Sequence, residues 1–281
     1  MIAPPLSPLH LVRVAEMLVV GLGASFIGSM VGLGGGFIAV PVLRLFFHLS
    51  PTFTAGTSLF MVTANVASAS LAFARQRRID WKIGLWMGVF GLPGGVLGAI
   101  AVQHAPAFGF DAVYGIVLAV FAVNLLRRGA QARERRRFGM PWAKPREFYD
   151  AIEGATYRYS ESAPVEAVAG FASGIASGFF GVGGSVVVVP VLLRGFALPP
   201  HLVSATAHFV VLLSSPLSLA THIHQGDVDW LDAVPLAIGA LVGAQFGAAT
   251  AKRLSSPMLV RTLAVALLIA ATSLIARDLI G

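Results

Sequence analysis

The sequence predicts an all-α membrane protein: a polytopic bundle of transmembrane helices built from two tandem homologous repeats. Three observations predict this fold class: few residues are charged, several apolar segments are long, and the two halves share a motif in register. Of the 281 residues, 12% are charged and 56% are hydrophobic, with a mean hydropathy of +0.80. Soluble domains carry about 25% charged residues. Most of this chain therefore faces lipid or other protein segments rather than water.

Each half of the chain contains five apolar segments, and the longest reach the roughly 20 residues that span a bilayer. The segments lie at 11–33, 35–49, 52–75, 82–105 and 107–127, and then at 165–182, 185–197, 201–223, 230–252 and 257–277. The second segment of each half is short, which predicts a half-helix or a tilted span. We therefore expect a first transmembrane repeat at 11–127, a basic cytoplasmic linker at 128–163 and a second repeat at 164–281.

The internal repeat is an ungapped correspondence between the halves. GLGGGFIAVPVL begins at Gly32, and GVGGSVVVVPVL begins at Gly181, 149 positions later. The same offset pairs Pro41 with Pro190, Thr57 with Thr206, Asp80 with Asp229, Trp81 with Trp230 and Gly94 with Gly243. Chance does not keep register over such a length, so the sequence indicates a duplication.

The basic residues are concentrated in the linker, where eight of the 20 lie between Arg127 and Arg146. Beside a membrane segment, such a cluster marks the cytoplasmic side rather than a nucleic-acid surface. We expect this linker to be a solvated loop. If all five segments of each half cross, the halves are inverted and Lys252, Arg253 and Arg261 also become cytoplasmic. If the short segment folds back and leaves four crossings, the repeats are parallel; the charges favour the inverted arrangement.

Missing sequence features exclude several classes of protein. The chain has no cysteine, which excludes disulfides and zinc–cysteine sites. It has no Walker motif, so ATP is not the direct energy source, and no carboxylate is expected in mid-membrane, which argues against a cation pump. The start, MIAPPLSPLH, has no basic region, so we expect the first apolar segment to be retained as a membrane helix. We expect no cofactor and no metal.

The paired glycine motifs are the strongest candidates for a binding site. Adjacent glycines interrupt a membrane helix and leave backbone N–H groups that lipid cannot satisfy. A helix restarting at Phe37 or Val186 would direct its N-terminal amides and positive dipole end toward an anion. This predicts broken helices that bind a small anion, as in secondary transporters. The predicted backbone ligands are Gly34, Gly35, Gly36, Gly183, Gly184 and Ser185.

Close helix packing is the alternative interpretation of these glycines, because Gly28, Gly32 and Gly36 are spaced as a small-residue ladder. We favour binding for the triple motifs, since packing does not need adjacent glycines followed by a proline in both copies. For the ladder Gly239, Gly243 and Gly247 we favour packing.

Polar residues in the third segment of each half are further candidates. They are Thr57, Ser58, Asn65, Thr206 and His208. Two interpretations remain open: these groups bind the anion, or they form interhelical hydrogen bonds. His208 is the ionisable group expected well inside a span, so it is either the proton-coupling residue or a structural histidine. His222 and His224 are expected at the membrane interface.

An intramembrane serine hydrolase is the enzyme alternative, with Ser58 in GTSL as nucleophile and His208 or His222 as base. The repeat partner of Ser58 is Ala207, which has no hydroxyl and weakens this interpretation. A membrane anion sensor that does not transport is a second alternative.

The doubled pattern G-x-G-G-[GS]-x-x-x-V-P-V-L, together with Asp80-Trp81 and Asp229-Trp230, resembles the sulfite exporter TauE/SafE family of permeases. The likeness extends over essentially the whole chain. It implies a secondary transporter of the bacterial inner membrane, not an enzyme, for sulfite, an organosulfonate or sulfoacetate. The implied partners are that small anion and the lipid bilayer. A proton as coupling ion and a homo-oligomer are left open.

Overall fold

The computed structural model describes residues 8–128, 142, 144–150, 155–250 and 257–280, and these are mainly helical. The first half forms α1 (Pro8–Val31), α2 (Gly36–Leu45), α3 (Pro51–Arg75), α4 (Trp81–Ala101) and α5 (Ala107–Arg128), with a 3₁₀ turn at Val102–His104. The second half forms α6 (Ala163–Phe180), α7 (Ser185–Pro190), α8 (Pro200–Gln225), α9 (Trp230–Thr250) and α10 (Pro257–Ile280), with a π-helical turn at Val191–Gly195.

Six helices in the described part are long and apolar enough to cross a bilayer. They are α1, α3, Trp81–His104, α6, His201–Gln225 and α9. Shorter apolar helices lie at Gly36–Leu45, Ala107–Val123, Ser185–Gly195 and Leu267–Ala276. Large apolar side chains such as Val19, Leu97 and Phe246 are exposed on the helix surfaces, as expected where helices face lipid. The predicted helical bundle is confirmed, and the chain is a multi-pass membrane protein.

Equivalent helices of the two halves begin at equivalent positions. α3 starts at Pro51 and α8 at Pro200, where the fixed φ of proline suits the first turn of a helix. α4 starts at Trp81 and α9 at Trp230. Each pair is 149 positions apart, which is the correspondence that a duplication predicts.

The short helix α2 folds back along α1. The guanidinium of Arg13, early in α1, lies 5.8 Å from the ring centre of Phe47, just beyond α2. At the other end of the pair, a Cβ on Gly28 would lie 2.1 Å from the amide nitrogen of Gly35. α1 and α2 therefore form an antiparallel pair that enters and leaves the bundle at the same end.

The two halves run in opposite directions. Phe73, near the end of α3, packs against His208, early in α8, with ring centroids 5.4 Å apart. In the middle of both helices, Thr63 Oγ1 donates to Ser215 Oγ at 3.2 Å. α3 and α8 occupy equivalent positions in the repeat, so their antiparallel contact is what inverted halves predict. The short segment does fold back, but it pairs with α1 and the repeats are not parallel.

Glycines allow the halves to interlock, with α1 packed along α9 and α6 along α4. A Cβ on Gly243 would lie 2.3 Å from the carbonyl oxygen of Leu22, so the two backbones touch. A Cβ on Gly174 would lie 2.0 Å from the carbonyl oxygen of Gly91. The packing interpretation of the ladder Gly239, Gly243 and Gly247 is therefore confirmed, since all three contact the α1 backbone.

Gly243→Ala is expected to destabilise the folded protein by about 1–3 kcal/mol, because the added methyl overlaps the α1 backbone. Gly23→Ala is the matched control, since nothing lies within 4 Å of a Cβ on that helical glycine. It should be neutral or stabilising by up to about 1 kcal/mol. Thermal unfolding in detergent measures both. Equal melting temperatures for the two variants would contradict close packing at Gly243.

A β-hairpin in the linker differs from the predicted solvated loop. β1 (Lys144–Asp150) pairs antiparallel with β2 (Ala155–Glu161), with Arg146 opposite Tyr159. The loop prediction was wrong for these segments, because aromatic residues alternate with polar ones in TYRYS and this period-2 pattern favours a strand. Residues 129–141 of the predicted linker lie outside the described part of the chain.

The hairpin docks on the start of α4. Tyr159 donates a hydrogen bond to the carboxylate of Asp80, and Arg146 lies 3.3 Å from the same carboxylate. Arg146 and Lys82 both bind Glu161, at 2.9 and 2.6 Å. Burial and the bond to Asp80 raise the pKa of the Tyr159 phenol above its usual value, so the phenol remains a donor. Burial alone would raise the pKa of Glu161, but bonds from Lys82 and Arg146 lower it.

Cysteine labelling reports which end of the bundle faces the cytoplasm. The chain has no native cysteine, so a single introduced thiol is unambiguous. Arg158 on the hairpin is 80% exposed, and His224 is exposed at the opposite end of the bundle. In intact cells, His224→Cys should react with a membrane-impermeant maleimide. Arg158→Cys should react only after permeabilisation, because the basic linker is expected inside. The reverse pattern would invert this orientation.

Candidate functional site

The two glycine motifs form turns with left-handed backbone. φ is +72° at Gly34 and +79° at Gly35, and it is +81° at Gly183 and +70° at Gly184. Two consecutive left-handed residues are costly for any residue with a Cβ, which explains why both copies carry adjacent glycines. Gly35 and Gly184 are the N-caps of α2 and α7, so each turn ends one helix and starts the next.

The two turns meet each other beside the middle of α3. A Cβ on Gly36 would lie 2.7 Å from the Cα of Val182. Val62 of α3 lies against both turns, since a Cβ on Gly34 would be 3.5 Å from its Cγ1 and one on Gly183 would be 2.5 Å from it. The inverted arrangement of the helices therefore brings the two copies of the motif into one place.

Backbone amides at both turns lack acceptors among the described residues. Gly35 O accepts from the amides of Ile38 and Ala39, but the amides of residues 34–36 have no acceptor in the part of the chain that the structure describes. Gly184 O likewise accepts from Val187 and Val188, and within the same described ranges the amides of residues 183–185 have no acceptor. A buried N–H without a partner costs about 1–3 kcal/mol, so these donors suit a ligand.

Hydroxyl and amide side chains surround the turns. Asn65 Nδ2 donates to Ser25 O at 3.3 Å and to Ser29 Oγ at 3.1 Å, and a Cβ on Gly34 would be 3.9 Å from Asn65 Oδ1. Ser58 Oγ donates to the carbonyl of Gly181 at 2.9 Å. The structure therefore places Asn65 at the first turn and Ser58 at the second.

Three serine hydroxyls near the turns are buried and have no hydrogen-bond partner among the described residues: Ser25, Ser177 and Ser185. Ser185 was predicted from the motif, but Ser25 and Ser177 were not. The sequence does show serines spaced by four residues on both α1 and α6. The comparison of the two halves does not reveal Ser177, because its equivalent in the first half is Gly28. Like the amides without acceptors, these hydroxyls are neutral donors. No group of three or more metal-ligating side chains is found within the described ranges.

Thr57 and Thr206 lie elsewhere and make reciprocal structural contacts. Thr57 Oγ1 accepts from the amide of Asp229 at 3.0 Å, and Thr206 Oγ1 accepts from the amide of Asp80 at 3.1 Å. Each bond joins one half of the chain to the loop before the fourth helix of the other half. For these two residues the geometry favours interhelical bonding over anion binding.

His208 is fully buried in α8, with Nδ1 2.8 Å from the carbonyl of Ser204 and its ring edge against Phe73. Neither contact reaches the glycine turns. The hydrolase arrangement is not assembled either, because the hydroxyl of Ser58 donates to Gly181 and neither His208 nor His222 is its partner. His222, near the end of α8, is fully buried within the protein.

A buried ion pair between α2 and α5 was not predicted from the sequence. Arg44 of α2 and Asp111 of α5 are 4% and 1% exposed, and Arg44 Nε lies 2.6 Å from Asp111 Oδ1. A second guanidinium nitrogen binds the other carboxylate oxygen, so the contact is bidentate. Nothing in the sequence connects Asp111, near the start of α5, to Arg44.

An apolar cleft lies between α6 and α7. Its volume is about 440 Å³, and it is lined by valine, alanine and proline side chains, which offer an anion no donor. Its lining residues are Pro164, Val165, Val168, Ala169, Ala172, Val187 and Val191.

Paired broken helices inside a bundle of membrane-spanning helices are typical of membrane transporters. Residues 17–274 match the family model described as "Sulfite exporter TauE/SafE". The chain belongs to the TauE/SafE family and is a membrane transporter of that type.

Curated relatives carry transporter names. The chain is 31% identical over 267 residues to "Probable membrane transporter protein YunE" of Bacillus subtilis, covering 92% of this chain and 96% of that protein. It is 27% identical over 260 residues to "Probable membrane transporter protein YfcA" of Escherichia coli, covering 88% and 85%. No solved structure matches the chain.

Proposed function

We propose that this protein is a secondary transporter of the plasma membrane for a small anion, either sulfite or an organosulfonate such as sulfoacetate. The observation that carries this proposal is the meeting of two left-handed glycine turns whose buried amides lack acceptors among the described residues. In this proposal the anion binds between residues 34–36 and 183–185, with Asn65 and Ser58 holding the two turns in place.

Neutral donors suit a substrate that must be bound and then released. An anion leaving water needs N–H and O–H groups to replace its hydration shell. Backbone amides at helix N-termini supply such donors together with a partial positive charge. No lysine or arginine contact is required at the turns, so the anion is not held by a fixed opposite charge. Weak binding of this kind favours turnover.

The substrate class is supported by the family description, which names a sulfite exporter. Sulfite and sulfonates present three oxygens on one sulfur, so one anion could accept hydrogen bonds from both turns. The inverted halves also support alternating access, because each half offers an equivalent turn to the opposite membrane face.

Counterflow in proteoliposomes tests the proposed function. Vesicles preloaded with unlabelled sulfite or sulfoacetate should take up the same labelled anion without a gradient of any other ion, whereas chloride-loaded vesicles should not. Anion-dependent thermal stabilisation without counterflow would indicate a sensor rather than a transporter. Chemical conversion of the anion that disappears in Ser58→Ala would indicate the hydrolase. The absence of both binding and counterflow with every sulfur oxyanion tested would refute the substrate class.

A further inference from the structure

A second buried polar cluster lies where α8 ends, and its centre is a contact between His222 and the carboxyl group of Asp227. Both ring nitrogens of His222 face acceptors: Nε2 is 2.8 Å from the carbonyl of Gly178, and Nδ1 is 3.2 Å from Asp227 Oδ2. A neutral imidazole has a single N–H. Both contacts are hydrogen bonds only when the pair holds one additional proton, either on His222 or on the carboxyl of Asp227.

Two further side chains donate hydrogen bonds to the carboxyl group of Asp227. Asp227 is 6% exposed, and Gln103 Nε2 donates to its Oδ2. The amide of Gln225, turned so that its NH₂ faces Asp227, donates to the same oxygen at 3.3 Å and to Ala99 O at 3.2 Å. The cluster is therefore a buried histidine–aspartate pair held by two glutamine amides.

Among the described residues, the ionisable groups on neighbouring elements are exposed or have other partners. The end of α6 and the first half of α3, which pack at the same level, contain no ionisable side chain. His104 is exposed and faces Ile100 O, and His224 on α8 is also exposed. Of the carboxylates at the start of α9, Asp232 binds Arg13 at 2.6 Å and Asp229 lies 4.0 Å from it. We therefore treat the proton as held by His222 and Asp227 alone.

The pair is mechanically connected to a glycine turn. Gly178 lies in the last turn of α6, three residues before Gly181, and it receives the Nε2–H bond of His222. When the proton leaves, a neutral His222 cannot donate to both Gly178 and Asp227, so one contact must break. Breaking either one changes what holds the end of α6.

We infer that His222 and Asp227 form the proton-coupling site of this transporter, which links proton binding to the second glycine turn; this inference rests on the proposed function. The site exists in one half only, because the equivalent residues of the first half are Phe73 and Arg78. Each cycle then carries a single coupled proton. His208, the earlier candidate, has no ionisable partner among its contacts in the described part of the chain.

The test compares two activities in proteoliposomes with labelled sulfoacetate, whose acidic groups stay ionised near neutral pH. One coupled proton allows about tenfold accumulation per pH unit of gradient. His222→Gln and Asp227→Asn should lose this accumulation while counterflow stays within about threefold of wild type, because neither amide can titrate there. His208→Gln is the matched control and should keep both activities.

Each outcome bears on a different claim. Wild type without counterflow would refute the proposed function and leave the proton site without a role. Accumulation that survives in His222→Gln, or that disappears only in His208→Gln, would overturn the inference. If His222→Gln does not fold, proton exchange on adding sulfoacetate is measured in wild type and Asp227→Asn with a pH indicator. Wild type should exchange about one proton per anion bound and Asp227→Asn none; equal exchange in both would overturn the inference.

Discussion

Replacing Asp111 with alanine is expected to destabilise the folded protein by about 3–5 kcal/mol, because Arg44 then remains as a buried charge without its carboxylate. The pair is 4% and 1% exposed, so water cannot replace the lost partner. The contact joins α2, which follows the first glycine turn, to α5. Denaturant unfolding in detergent, with the monodisperse fraction from size exclusion, measures the loss.

Two further variants separate ion pairing from packing. Arg44→Met with Asp111→Leu removes both charges and should recover most of the stability, since apolar replacement of a buried pair is often neutral or stabilising. Arg158→Ala breaks an exposed pair with Glu147 and should change the stability by less than about 1 kcal/mol. An Asp111→Ala variant no less stable than Arg158→Ala would show that the buried pair contributes nothing.

Gly34→Ala is expected to abolish anion-dependent thermal stabilisation and to lower counterflow by at least about tenfold, a loss of 1.4 kcal/mol or more in binding. A Cβ there is 3.5 Å from its nearest neighbours, Val62 and Val66, so it fits the fold but fills space beside the free amides. Gly35→Ala and Gly184→Ala are poorer tests, because their methyls would lie 2.8 and 2.3 Å from backbone carbonyl oxygens of α1 and α6. They should fold poorly whether or not the turns bind an anion.

Gly226→Ala provides the matched control for backbone strain. Gly226 has a φ of +77°, close to the +72° of Gly34, and nothing lies within 4 Å of its Cβ position. Both variants should lose a similar stability of about 1–2 kcal/mol from the left-handed backbone. Only Gly34→Ala should lose anion binding. If both keep it, the site must be sought beside the turns, at Ser58 and Asn65.

The glycine turns could be predicted from sequence because their cause is local. Adjacent glycines break a helix wherever they occur, and the helix restarts were expected at Phe37 and Val186, one residue after the observed starts at Gly36 and Ser185. Helix existence follows from long apolar segments in the same way. The family also followed from the doubled motif.

The buried ionic contacts could not be predicted, because they depend on which helices become neighbours. Arg44 and Asp111 are 67 positions apart, and no periodicity links a lone arginine in α2 to the start of α5. His222 and Asp227 are five positions apart, but the chain between them leaves the helix. The hairpin was not predicted because the many charged residues of the linker indicated a solvated loop. The alternation of aromatic and polar residues around Tyr159 was not taken into account.

The interlocked packing sets the order in which this protein can mature during synthesis. α1 has its main glycine-lined contact with α9, whose first residue follows the end of α1 by almost 200 positions. The hydroxyl of Thr57 likewise binds an amide 172 positions later. An N-terminal half inserted alone would expose backbone grooves to lipid, with nothing to fill them. We expect such a half to be degraded unless the second half is supplied separately, and an interrupted chain to require both pieces in one membrane.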